Sequence, residues 1–300
     1  MKIVIVGASG FVGRALSRCL LEQGHAVVGL GTSSRFPVKL GSGFEWIRSD
    51  TTQAGAWQAA VADADVVVNL AGRTIFKRWT ESYKKEIIAS RVQTTRNLAD
   101  AMTGEGQTLL STSAVGYYGS RGDEVLGEQA AAGDDFLARL SVDWEQAALA
   151  AEHKGARVAI MRFGVVLGAG GGALQQMLPA FRMFAGGPLG TGRQWFSWIH
   201  MNDVVAAVRF LMATISSRGV YNFCAPGVVR QREFARALGK ALGRPARMPA
   251  PAMALRLMMG AVAGVLLASQ RVQPQRLIDD GFTFSFPEVE AALADLVEGT

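Results

Sequence analysis

The sequence predicts an α/β fold in which a doubly wound parallel sheet is joined to a smaller, mainly helical C-terminal lobe. Strand and helix patterns alternate through the first two-thirds of the 300 residues, as in parallel sheets whose strands are connected by helices. The runs at 66–68 and 158–161 are apolar on both faces, which is typical of strands covered by helices on both sides. From Pro226 onward, helical patterns are separated by prolines, which favours a distinct lobe.

The strands of the predicted sheet are short runs of β-branched or other apolar residues. They cover residues 2–6, 26–30, 45–48, 65–70, 108–111, 157–163 and 220–223. The predicted helices cover residues 11–23, 54–62, 83–102, 134–153 and 202–214. Gly24 ends the first helix, because glycine favours the backbone conformation that closes a helix. The glycine-rich stretch of Gly168, Gly170, Gly171 and Gly172 predicts a flexible connection to the lobe.

Composition indicates a globular chain with enough apolar material for a large core, since 49% of its residues are hydrophobic and 19% are charged. The chain starts with a strand pattern and not with a leader pattern. Cys19 and Cys224 are the only cysteines, without metal-ligand spacing, so we expect no metal site and no structural disulfide. The apolar stretch 252–268 is shorter than the about 20 residues of a spanning helix. It predicts a buried or groove-lining helix, no membrane partner and a cytoplasmic location.

Positive charge is concentrated in one part of the chain. Between Pro226 and Arg276, nine Arg or Lys residues face one acid, Glu233, whereas the whole chain carries a net charge of +6. Three interpretations stay open: a solvated arginine-rich face, a site for an anionic small molecule, or a nucleic-acid surface. The arginines stand singly on helical segments without interleaved aromatic residues, which disfavours nucleic acid. The pattern therefore favours the solvated face first and an anionic small-molecule substrate second, and it predicts no nucleic-acid partner.

A glycine-spaced turn follows the first strand directly and opens the first helix. It comprises Gly7, Ala8, Ser9, Gly10, Phe11, Val12 and Gly13. Glycines at this spacing allow a tight turn, a close approach of the backbone to a ligand, and close packing of the helix on the strand. The first-turn N–H groups of the helix can then hold a diphosphate at the positive end of the helix dipole. The motif predicts a Rossmann-type dinucleotide site, with Gly7, Ser9, Gly10, Phe11, Val12 and Gly13 as its residues.

The end of the second strand predicts which dinucleotide is bound. NAD-binding versions place a carboxylate there to accept bonds from the ribose hydroxyls, whereas this chain has Thr32-Ser33-Ser34-Arg35. Hydroxyls and a guanidinium would hold a 2′-phosphate through charge-assisted hydrogen bonds. The sequence therefore favours NADP(H) over NAD(H), with Thr32, Ser33 and Arg35 as readers.

Further cofactor contacts are predicted at neighbouring strand ends. Arg14 is either a second phosphate contact or a solvated side chain. Asp50, after the third strand, is placed to accept a bond from the adenine amino group. Leu70, Ala71 and Gly72 end the fourth strand, where small residues allow the cofactor to approach closely.

Several motifs resemble the extended short-chain dehydrogenase/reductase superfamily. They are GASGFVG at 7–13, NLAG at 69–72, STSAVGYYG at 111–119, MRFGVVLG at 161–168 and IHMND at 199–203. The chain is more narrowly similar to the "epimerase family protein" branch, which has a characteristic C-terminal helical region. The phrases typical of that branch are at 78–80, 90–92, 113–119, 122–124, 186–190, 192–200 and 269–272. The resemblance covers almost the whole chain.

The resemblance implies a Rossmann fold with a bound dinucleotide, usually NADP, but no particular substrate. Within the matching motifs we also assign Arg91, Ser111 and Phe163 to the cofactor site. The predicted NADP-binding domain covers residues 1–167, with 199–225 returning to it. Residues 168–198 and 226–300 form the predicted substrate lobe. A homodimer through the helices at 83–102 and 134–153 is an expectation from the superfamily alone.

The superfamily's usual catalytic pair, a tyrosine followed four residues later by a lysine, does not occur in this sequence. Ile87, Arg121, Gly122 and Ala225 stand four residues after the four tyrosines. By register, Leu137 and Ser141 occupy the expected positions of the pair. The usual mechanism, in which the lysine lowers the pKa of the tyrosine, is therefore not available in its standard form.

Replacement catalytic residues are predicted after the fifth strand. Ser113 is placed to hold a substrate oxygen, and Tyr117 or Tyr118 to donate a proton, with Arg121 or Lys77 to lower the pKa of that tyrosine. The alternative is that the tyrosines line the pocket or pack on the nicotinamide without transferring protons.

A second cluster of arginine and indole side chains follows a glycine-rich loop. Arg193, Trp195 and Trp198 are predicted to bind an anionic or planar substrate, with Trp79 as a further wall. The alternative for each tryptophan is a place in the core. His200, also in this segment, is predicted to be structural and to precede a helix capped by Asn202.

These observations favour an NADP(H)-binding oxidoreductase or nucleotide-sugar-epimerase-like enzyme that acts on a small oxygenated substrate, with an anionic one fitting the basic lobe. The alternative is a non-catalytic NADP(H)-sensing regulatory protein. No Gly-x-Ser-x-Gly motif is present, which disfavours a hydrolase.

Overall fold

The computed structural model describes residues 1–298, which contain thirteen strands and twelve α-helices. The strands are β1 (Lys2–Val6), β2 (Ala26–Gly31), β3 (Phe44–Arg48), β4 (Val66–Asn69), β5 (Thr108–Ala114), β6 (Val125–Leu126), β7 (Arg157–Phe163), β8 (Val165–Leu167), β9 (Trp195–Phe196), β10 (Trp198–His200), β11 (Gly219–Phe223), β12 (Val229–Arg230) and β13 (Arg271–Val272). The helices are α1 (Phe11–Glu22), α2 (Gln58–Ala62), α3 (Glu81–Ile88), α4 (Thr94–Ala101), α5 (Phe136–Leu149), α6 (Gly172–Arg182), α7 (Met201–Ala213), α8 (Gln231–Ala241), α9 (Ala252–Met259), α10 (Ala263–Leu267), α11 (Gln275–Asp279) and α12 (Val289–Glu298).

The main sheet is parallel throughout and has the strand order β11-β7-β5-β4-β1-β2-β3. Alternate side chains of β1 enter opposite layers: Ile3 and Ile5 pack with α1 and α7. Val4 and Val6 pack on the other side with α2, α4 and α5. The sheet is thus covered by helices on both faces, and the predicted Rossmann-type doubly wound sheet is confirmed.

Strand register brings the candidate site residues to one edge of this sheet. Val6 of β1 is paired with Leu30 of β2 and with Asn69 of β4, and Asn69 is paired with Ser111 of β5. The carboxyl ends of four neighbouring strands therefore coincide, which is the edge where open α/β sheets bind ligands.

The long helix predicted at 83–102 is broken into three consecutive parts. It begins at Glu81, where Thr80 accepts a hydrogen bond from the backbone N–H of Tyr83 and so caps α3. A π-helical turn, Ala89–Gln93, separates α3 from α4. A π turn accommodates one extra residue and changes the direction of the side chains on it. The helices predicted at 54–62 and 134–153 are also shorter than expected, and the second ends in a 3₁₀ turn at Ala150–Lys154.

The sequence predicted a flexible linker in the glycine-rich connection at 168–172, but the structure shows a packed segment. Its glycines pack against the ring of Phe11: a Cβ on Gly168, Gly171 or Gly172 would lie within 2.7 Å of that ring. Helix α6, which the sequence analysis missed, starts immediately at Gly172. The absence of side chains here serves close packing onto the first helix.

The C-terminal lobe has its own apolar cluster. Helices α6, α8 and α12 enclose Leu178, Phe234, Leu293 and the indole of Trp198. Three two-stranded ladders, β8–β10, β9–β12 and β6–β13, connect the segments of the lobe with one another and with the loop after β5. Residues 299 and 300, which end the predicted lobe, lie outside the described residues. No helix within residues 1–298 has the length and apolar character needed to cross a bilayer.

Candidate functional site

The glycine turn between β1 and α1 is pressed against the neighbouring strand end. Gly7 has φ +79°, and a Cβ on it would lie 2.8 Å from the carbonyl oxygen of Leu70. A Cβ on Gly13 would lie 2.5 Å from the carbonyl oxygen of Gly7. No side chain caps the N-terminus of α1 at Gly10. The backbone of the turn is therefore tightly packed. Because none of the described side chains caps the helix N-terminus, its N–H groups are open to an anion such as a diphosphate.

The tail of β2 lies beside that turn. Thr32, Ser33 and Arg35 are exposed, and the indole N–H of Trp46 donates to the Ser33 carbonyl at 3.2 Å. Ser9 and this tail are close, since a Cβ on Gly31 would lie 3.4 Å from the Ser9 hydroxyl oxygen. Hydroxyls and one guanidinium are therefore held near the helix N-terminus, and no carboxylate occurs in residues 31–35.

Two further predicted contacts lie around the same turn. The Arg14 guanidinium folds back over it and donates to the Ser9 carbonyl at 3.4 Å. Asp50 is exposed, and its Oδ1 accepts hydrogen bonds from the backbone N–H and hydroxyl of Thr52 at 3.1 and 2.7 Å. These bonds fix the carboxylate at the end of β3.

The end of β4 is organised by a buried amide. The side-chain nitrogen of Asn69 donates to the hydroxyls of Thr95 and Ser111 at 2.7 and 3.3 Å, and its Oδ1 accepts from the N–H of Ala71 at 3.2 Å. Asn69 thereby shapes the turn through Leu70 to Gly72. Ser111 is 1% exposed, so it supports this turn from beneath. The sequence analysis assigned Ser111 to the cofactor site, but its side chain does not face the cleft.

Arg91 lies next to the same turn and is presented by the π-helical segment Ala89–Gln93. Its guanidinium donates to the carbonyl of Arg73 at 3.0 Å, lies over the ring of Trp144, and would be 3.0 Å from a Cβ on Gly72. Burial lowers the pKa of Arg91 to about 10. Among the described residues no carboxylate pairs with it, so it is a cation without a counter-charge beside the predicted cofactor cleft.

Three other predicted cofactor residues have mainly packing contacts. The ring of Phe11 and the side chain of Val12 are partly buried against the core of the main sheet. Phe163, the last residue of β7, stacks on Phe223 with ring centroids 5.2 Å apart. Phe11 begins α1 and Phe163 ends β7, so the backbone of both stands at the carboxyl end of the sheet.

Beneath Ser113 lies a buried ion pair that sequence reasoning did not find. The Ser113 hydroxyl donates to Glu145 Oε1 at 2.6 Å, and Arg162 donates to both carboxylate oxygens of Glu145 at 2.8 Å. The side chains of the pair are 3% and 8% exposed. Burial would lower the pKa of Arg162, but the hydrogen bonds and charge of Glu145 outweigh it and raise that pKa.

The two predicted catalytic tyrosines differ in their surroundings. Tyr118 is fully buried; its hydroxyl donates to Asn222 Oδ1 at 2.7 Å and accepts from Arg162 at 2.9 Å. Burial raises the pKa of Tyr118 to about 12. Tyr117 is partly exposed, its ring lies 3.4 Å from the Arg162 guanidinium, and its hydroxyl has no hydrogen-bond partner within residues 1–298.

The cation beside these tyrosines is Arg162, not Arg121 or Lys77. Arg121 pairs with Glu124 at 2.9 Å on the surface, and Lys77 lies over the ring of Tyr83. Leu137, in the position where the superfamily has its tyrosine, packs 3.5 Å from where a Cβ on Gly116 would stand.

A cavity of about 660 Å³ opens in the C-terminal lobe. Four of its lining residues are arginines: Arg193, Arg230, Arg232 and Arg256. Asp123, the one acid on its wall, is bonded to Arg230 at 2.7 Å. The other three guanidiniums have no carboxylate partner among residues 1–298. The cavity is therefore electropositive and suited to an anion.

Of the four predicted substrate residues, Arg193 alone lines this cavity. Trp195 stands behind it: its N–H donates to Asp123 at 2.9 Å, and Arg230 and Arg271 lie over its ring. Trp198 is fully buried and donates to the Gly227 carbonyl, so its prediction as a substrate contact was wrong. Trp79 donates to the Ile75 carbonyl and packs on Phe136.

His200 is structural, but it has a role that the sequence assigned to Asn202. Its Nδ1 accepts from the N–H of Asn202 at 3.2 Å, so His200 itself caps α7. Its Nε2 lies 3.3 Å from Asp295 of α12. Burial lowers the pKa of His200, although Asp295 and Asp203 oppose this shift. Both cysteines are free, and no cluster that could hold a metal occurs in the described residues.

The functional residues that the sequence analysis missed are Glu145, Arg162 and three of the cavity arginines. Arg162 could have been found, because it interrupts an otherwise apolar strand that must lie in the core, and a buried charge requires a partner. The cavity arginines are spread over residues 193–256 and have no common spacing.

Comparison with known proteins supports this geometry along the whole chain. A family model described as "NAD dependent epimerase/dehydratase family" matches residues 3–224. A second one, a "domain of unknown function (DUF1731)", matches residues 250–296.

Similar proteins extend over nearly the full length. A chloroplastic homologue of the epimerase family protein SDR39U1 from Arabidopsis thaliana is 39% identical, over 99% of this chain and 87% of that protein. The crystal structure of human SDR39U1 with NADPH has a TM-score of 0.86 and 34% identity, and all of each chain is covered. A structure called the nucleoside-diphosphate sugar epimerase from Corynebacterium glutamicum has a TM-score of 0.77 and 34% identity, over 99% of this chain and 58% of that one.

Proposed function

This chain belongs to the NAD dependent epimerase/dehydratase family, and we propose that it is an NADP(H)-dependent oxidoreductase or epimerase-like enzyme for a small, oxygenated, anionic substrate. The observation that supports this most is the exposed Thr32–Ser33–Arg35 tail without a carboxylate beside the open N-terminus of α1. The solved human relative, whose structure contains NADPH, supports the same cofactor.

The residues of the glycine turn fit a dinucleotide, because its backbone leaves no room for a Cβ at Gly7 or Gly13. When bound, NADP(H) supplies hydride transfer to or from carbon. The first-turn N–H groups of α1 would hold the diphosphate. Ser33 and Arg35 would hold the 2′-phosphate, and Arg91, which has no carboxylate partner in the described part of the chain, would face a further oxyanion.

Tyr117 is the proposed proton donor. Its hydroxyl is free of hydrogen bonds within the described residues, and its ring lies 3.4 Å from the Arg162 guanidinium. Tyr118 is excluded from this role because its hydroxyl is fully buried and already donates its proton to Asn222, and because burial raises its pKa to about 12. Ser113 is 1% exposed and donates its hydroxyl proton to Glu145, so it is proposed to hold this carboxylate and not the substrate oxygen that the sequence predicted for it.

The arginine cavity is proposed as the site of the substrate's anionic group. Three guanidiniums without carboxylate partners among residues 1–298 suit a phosphate or diphosphate better than a neutral sugar. The relative named a nucleoside-diphosphate sugar epimerase supports a substrate of this class.

The test combines cofactor titration with turnover. Cofactor-stripped protein is titrated calorimetrically with NADPH and NADH, and NADPH oxidation is then followed with a panel of carbonyl compounds carrying phosphate groups. We expect tight NADPH binding, weak NADH binding, and turnover that Tyr117→Phe abolishes while Tyr118→Phe retains it. Binding of neither nucleotide would overturn the proposal, and full turnover in Tyr117→Phe would remove that residue from the mechanism.

A second candidate function, an NADP(H)-sensing regulatory protein without catalysis, is favoured by Leu137 and Ser141 at the positions of the usual pair. It predicts nucleotide binding with no oxidation of NADPH by any carbonyl compound, and capture of a partner that depends on the redox state of the cofactor.

Two expectations from the sequence stay predictions. One is a homodimer formed through α3, α4 and α5, which sedimentation velocity and substitution of Ile88, an exposed residue of α3, would test. The other is a cytoplasmic location, which imaging of the tagged chain would test.

A further inference from the structure

Helix α9 is apolar and yet has no buried residue. Seven of its eight residues are Ala, Met or Leu, the exception being Arg256, and none of the eight is buried. Met253, Leu257 and Met258 are 83%, 88% and 83% exposed. Helices of globular proteins bury such residues against a core, so a helix of this kind requires an apolar environment that the folded chain does not supply.

Other exposed apolar side chains lie in the segment that precedes α9 and in a segment hydrogen-bonded to it. Met183 and Phe184 are 71% and 54% exposed, and Met248 is 58% exposed. The N–H of Met248 donates to the carbonyl of Gly186 at 3.2 Å, which joins their two segments, and Met248 precedes α9 by four residues. We name this set the apolar surface: Met183, Phe184, Met248, Met253, Leu257 and Met258.

Positive charges accompany the apolar surface. Arg182, Arg247 and Arg256 are exposed in the same segments, and the Arg244 guanidinium lies 4.6 Å from the ring centre of Phe184. From Pro226 to Arg276 the single acid is Glu233, whose carboxylate accepts from the N–H of Arg230 at the start of α8. No described carboxylate pairs with Arg182, Arg244, Arg247 or Arg256.

We propose that the apolar surface docks on a membrane that carries anionic phospholipids. Flexible apolar side chains that enter the acyl boundary, flanked by arginines at the level of the headgroups, are the features of interfacial helices. An eight-residue helix extends about 12 Å, so it lies in the interface and does not cross a hydrocarbon core of about 30 Å. This contact is not a membrane span, but it departs from the sequence-based expectation of no membrane partner.

Charge and shape favour a lipid surface over a protein. A symmetric contact between two copies would bring the same arginines together, and like charges repel. Residues 256–258 are three consecutive exposed positions, so the helix projects from the lobe and forms no groove. A protein partner needs complementary shape at an interface, whereas a bilayer adapts to any projecting side chain.

Docking would place the arginine cavity at the lipid interface, because Ala252 and Arg256 of α9 also line that cavity. The membrane contact is independent of the proposed reaction: it requires neither NADP(H) nor substrate. NADPH titration of each variant therefore separates a failure of this proposal from a failure of the proposed function.

The experiment is co-sedimentation of the full chain with vesicles of phosphatidylcholine alone or mixed with phosphatidylglycerol. Met253→Gln/Leu257→Gln removes apolar contacts, and Arg182→Gln/Arg247→Gln removes two charges. Ile215→Gln, at an 86% exposed residue after α7, and Arg209→Gln, at an exposed residue of α7, are the matched controls. All these side chains are on the surface, so we expect each variant to fold.

We expect binding to the mixed vesicles, weak binding to phosphatidylcholine, and unchanged binding by both controls. The apolar variant should bind about tenfold more weakly or less, and each arginine removed should weaken binding about fivefold at low salt. Absence of binding to the mixed vesicles would overturn the proposal. So would equal binding by the apolar variant and Ile215→Gln, or a dimer in sedimentation velocity that Met253→Gln/Leu257→Gln abolishes.

Discussion

The glycine turn after β1 and the arginine cavity of the C-terminal lobe are both suited to anions, but they are built in different ways. The turn uses backbone N–H groups within seven consecutive residues, and its selectivity comes from the absence of Cβ atoms at Gly7 and Gly13. The cavity uses side-chain charge from segments that are up to 63 residues apart, Arg193 to Arg256. We therefore expect the site formed by the backbone to tolerate almost no added side-chain volume, and the site formed by several arginines to tolerate loss of one.

A buried polar network joins the main sheet to the C-terminal lobe. Arg162 connects Glu145 with Tyr118, and Tyr118 connects with Asn222, whose amide donates to the carbonyl of Gln273 in the lobe at 2.9 Å. The carboxyl end of the main sheet and the lobe are thus joined by polar groups. Removal of any one of these groups is expected to lower the free energy of unfolding.

The largest expected effect is on this network. Glu145→Gln leaves the Arg162 guanidinium buried without its counter-charge, so the free energy of unfolding should fall by about 3–5 kcal/mol. Denaturant unfolding measures the loss. Glu124→Gln, which breaks the exposed pair with Arg121, is the control and should cost less than about 1 kcal/mol. Equal losses in the two variants would contradict the buried pair.

The next effect concerns the turn. Gly13→Val places a branched side chain where even a Cβ would lie 2.5 Å from one carbonyl oxygen and 2.6 Å from another. We expect a loss of stability of about 3 kcal/mol and NADPH binding weakened by about 100-fold or more, measured by calorimetry. Gly41→Val is the control because a Cβ on Gly41 meets nothing within 4 Å. Retained NADPH binding in Gly13→Val would mean that the turn does not hold the cofactor.

Charge at the β2 tail should affect discrimination and not folding. Arg35→Asp replaces the guanidinium proposed to hold the 2′-phosphate by a repelling carboxylate, so the ratio of NADPH to NADH affinity should fall by about 30-fold. Competitive titration with both nucleotides measures that ratio. Lys39→Asp makes the same change of charge four residues later and should leave the ratio within about twofold. A similar fall in both variants would reveal a general electrostatic effect.

A smaller effect is expected in the cavity, because several arginines share the charge. Arg232→Ala should weaken binding of inorganic pyrophosphate about tenfold, without changing the affinity for NADPH. Arg236→Ala, one helical turn further along α8 and outside the cavity lining, is the control. If both variants bind pyrophosphate equally, the cavity is not its site.

The smallest effect is a pH dependence at His200. Since burial lowers its pKa below the ordinary value of 6.5, the unfolded chain binds a proton that the folded chain does not. The contribution of His200 to the free energy of unfolding is therefore fully present above the ordinary pKa of 6.5. It is lost as the pH falls from there toward the lower pKa of the folded chain. Thermal unfolding from about pH 7.5 to about pH 5.5 would show a decrease. His200→Asn, which keeps a capping oxygen, should reduce the decrease, and His153→Asn at an exposed residue should not.

The sequence predicted the parts of the site that depend on neighbours along the chain. The glycine turn, the strand ends and the carboxylate-free tail lie where expected, because each follows from local backbone preferences and from the parallel order of the strands. The burial of Trp198 was not predictable in this way, since an indole near an arginine in the sequence is compatible both with a ligand contact and with a place in the core. Its burial depends on α8 and α12, which are formed by residues far along the chain.

Residue order by itself determined the doubly wound sheet, the position of the glycine turn and the absence of the usual tyrosine and lysine pair. These follow from patterns a few residues long, which act on backbone conformation directly. Tertiary structure alone decided that Arg162 and not Arg121 lies beside Tyr117, that four arginines share one cavity, and that α9 is left without a core. Contacts of that kind depend on which distant segments pack together. The free energy of that packing is shared among many side chains, and their spacing in the sequence has no common period from which the contacts could be predicted.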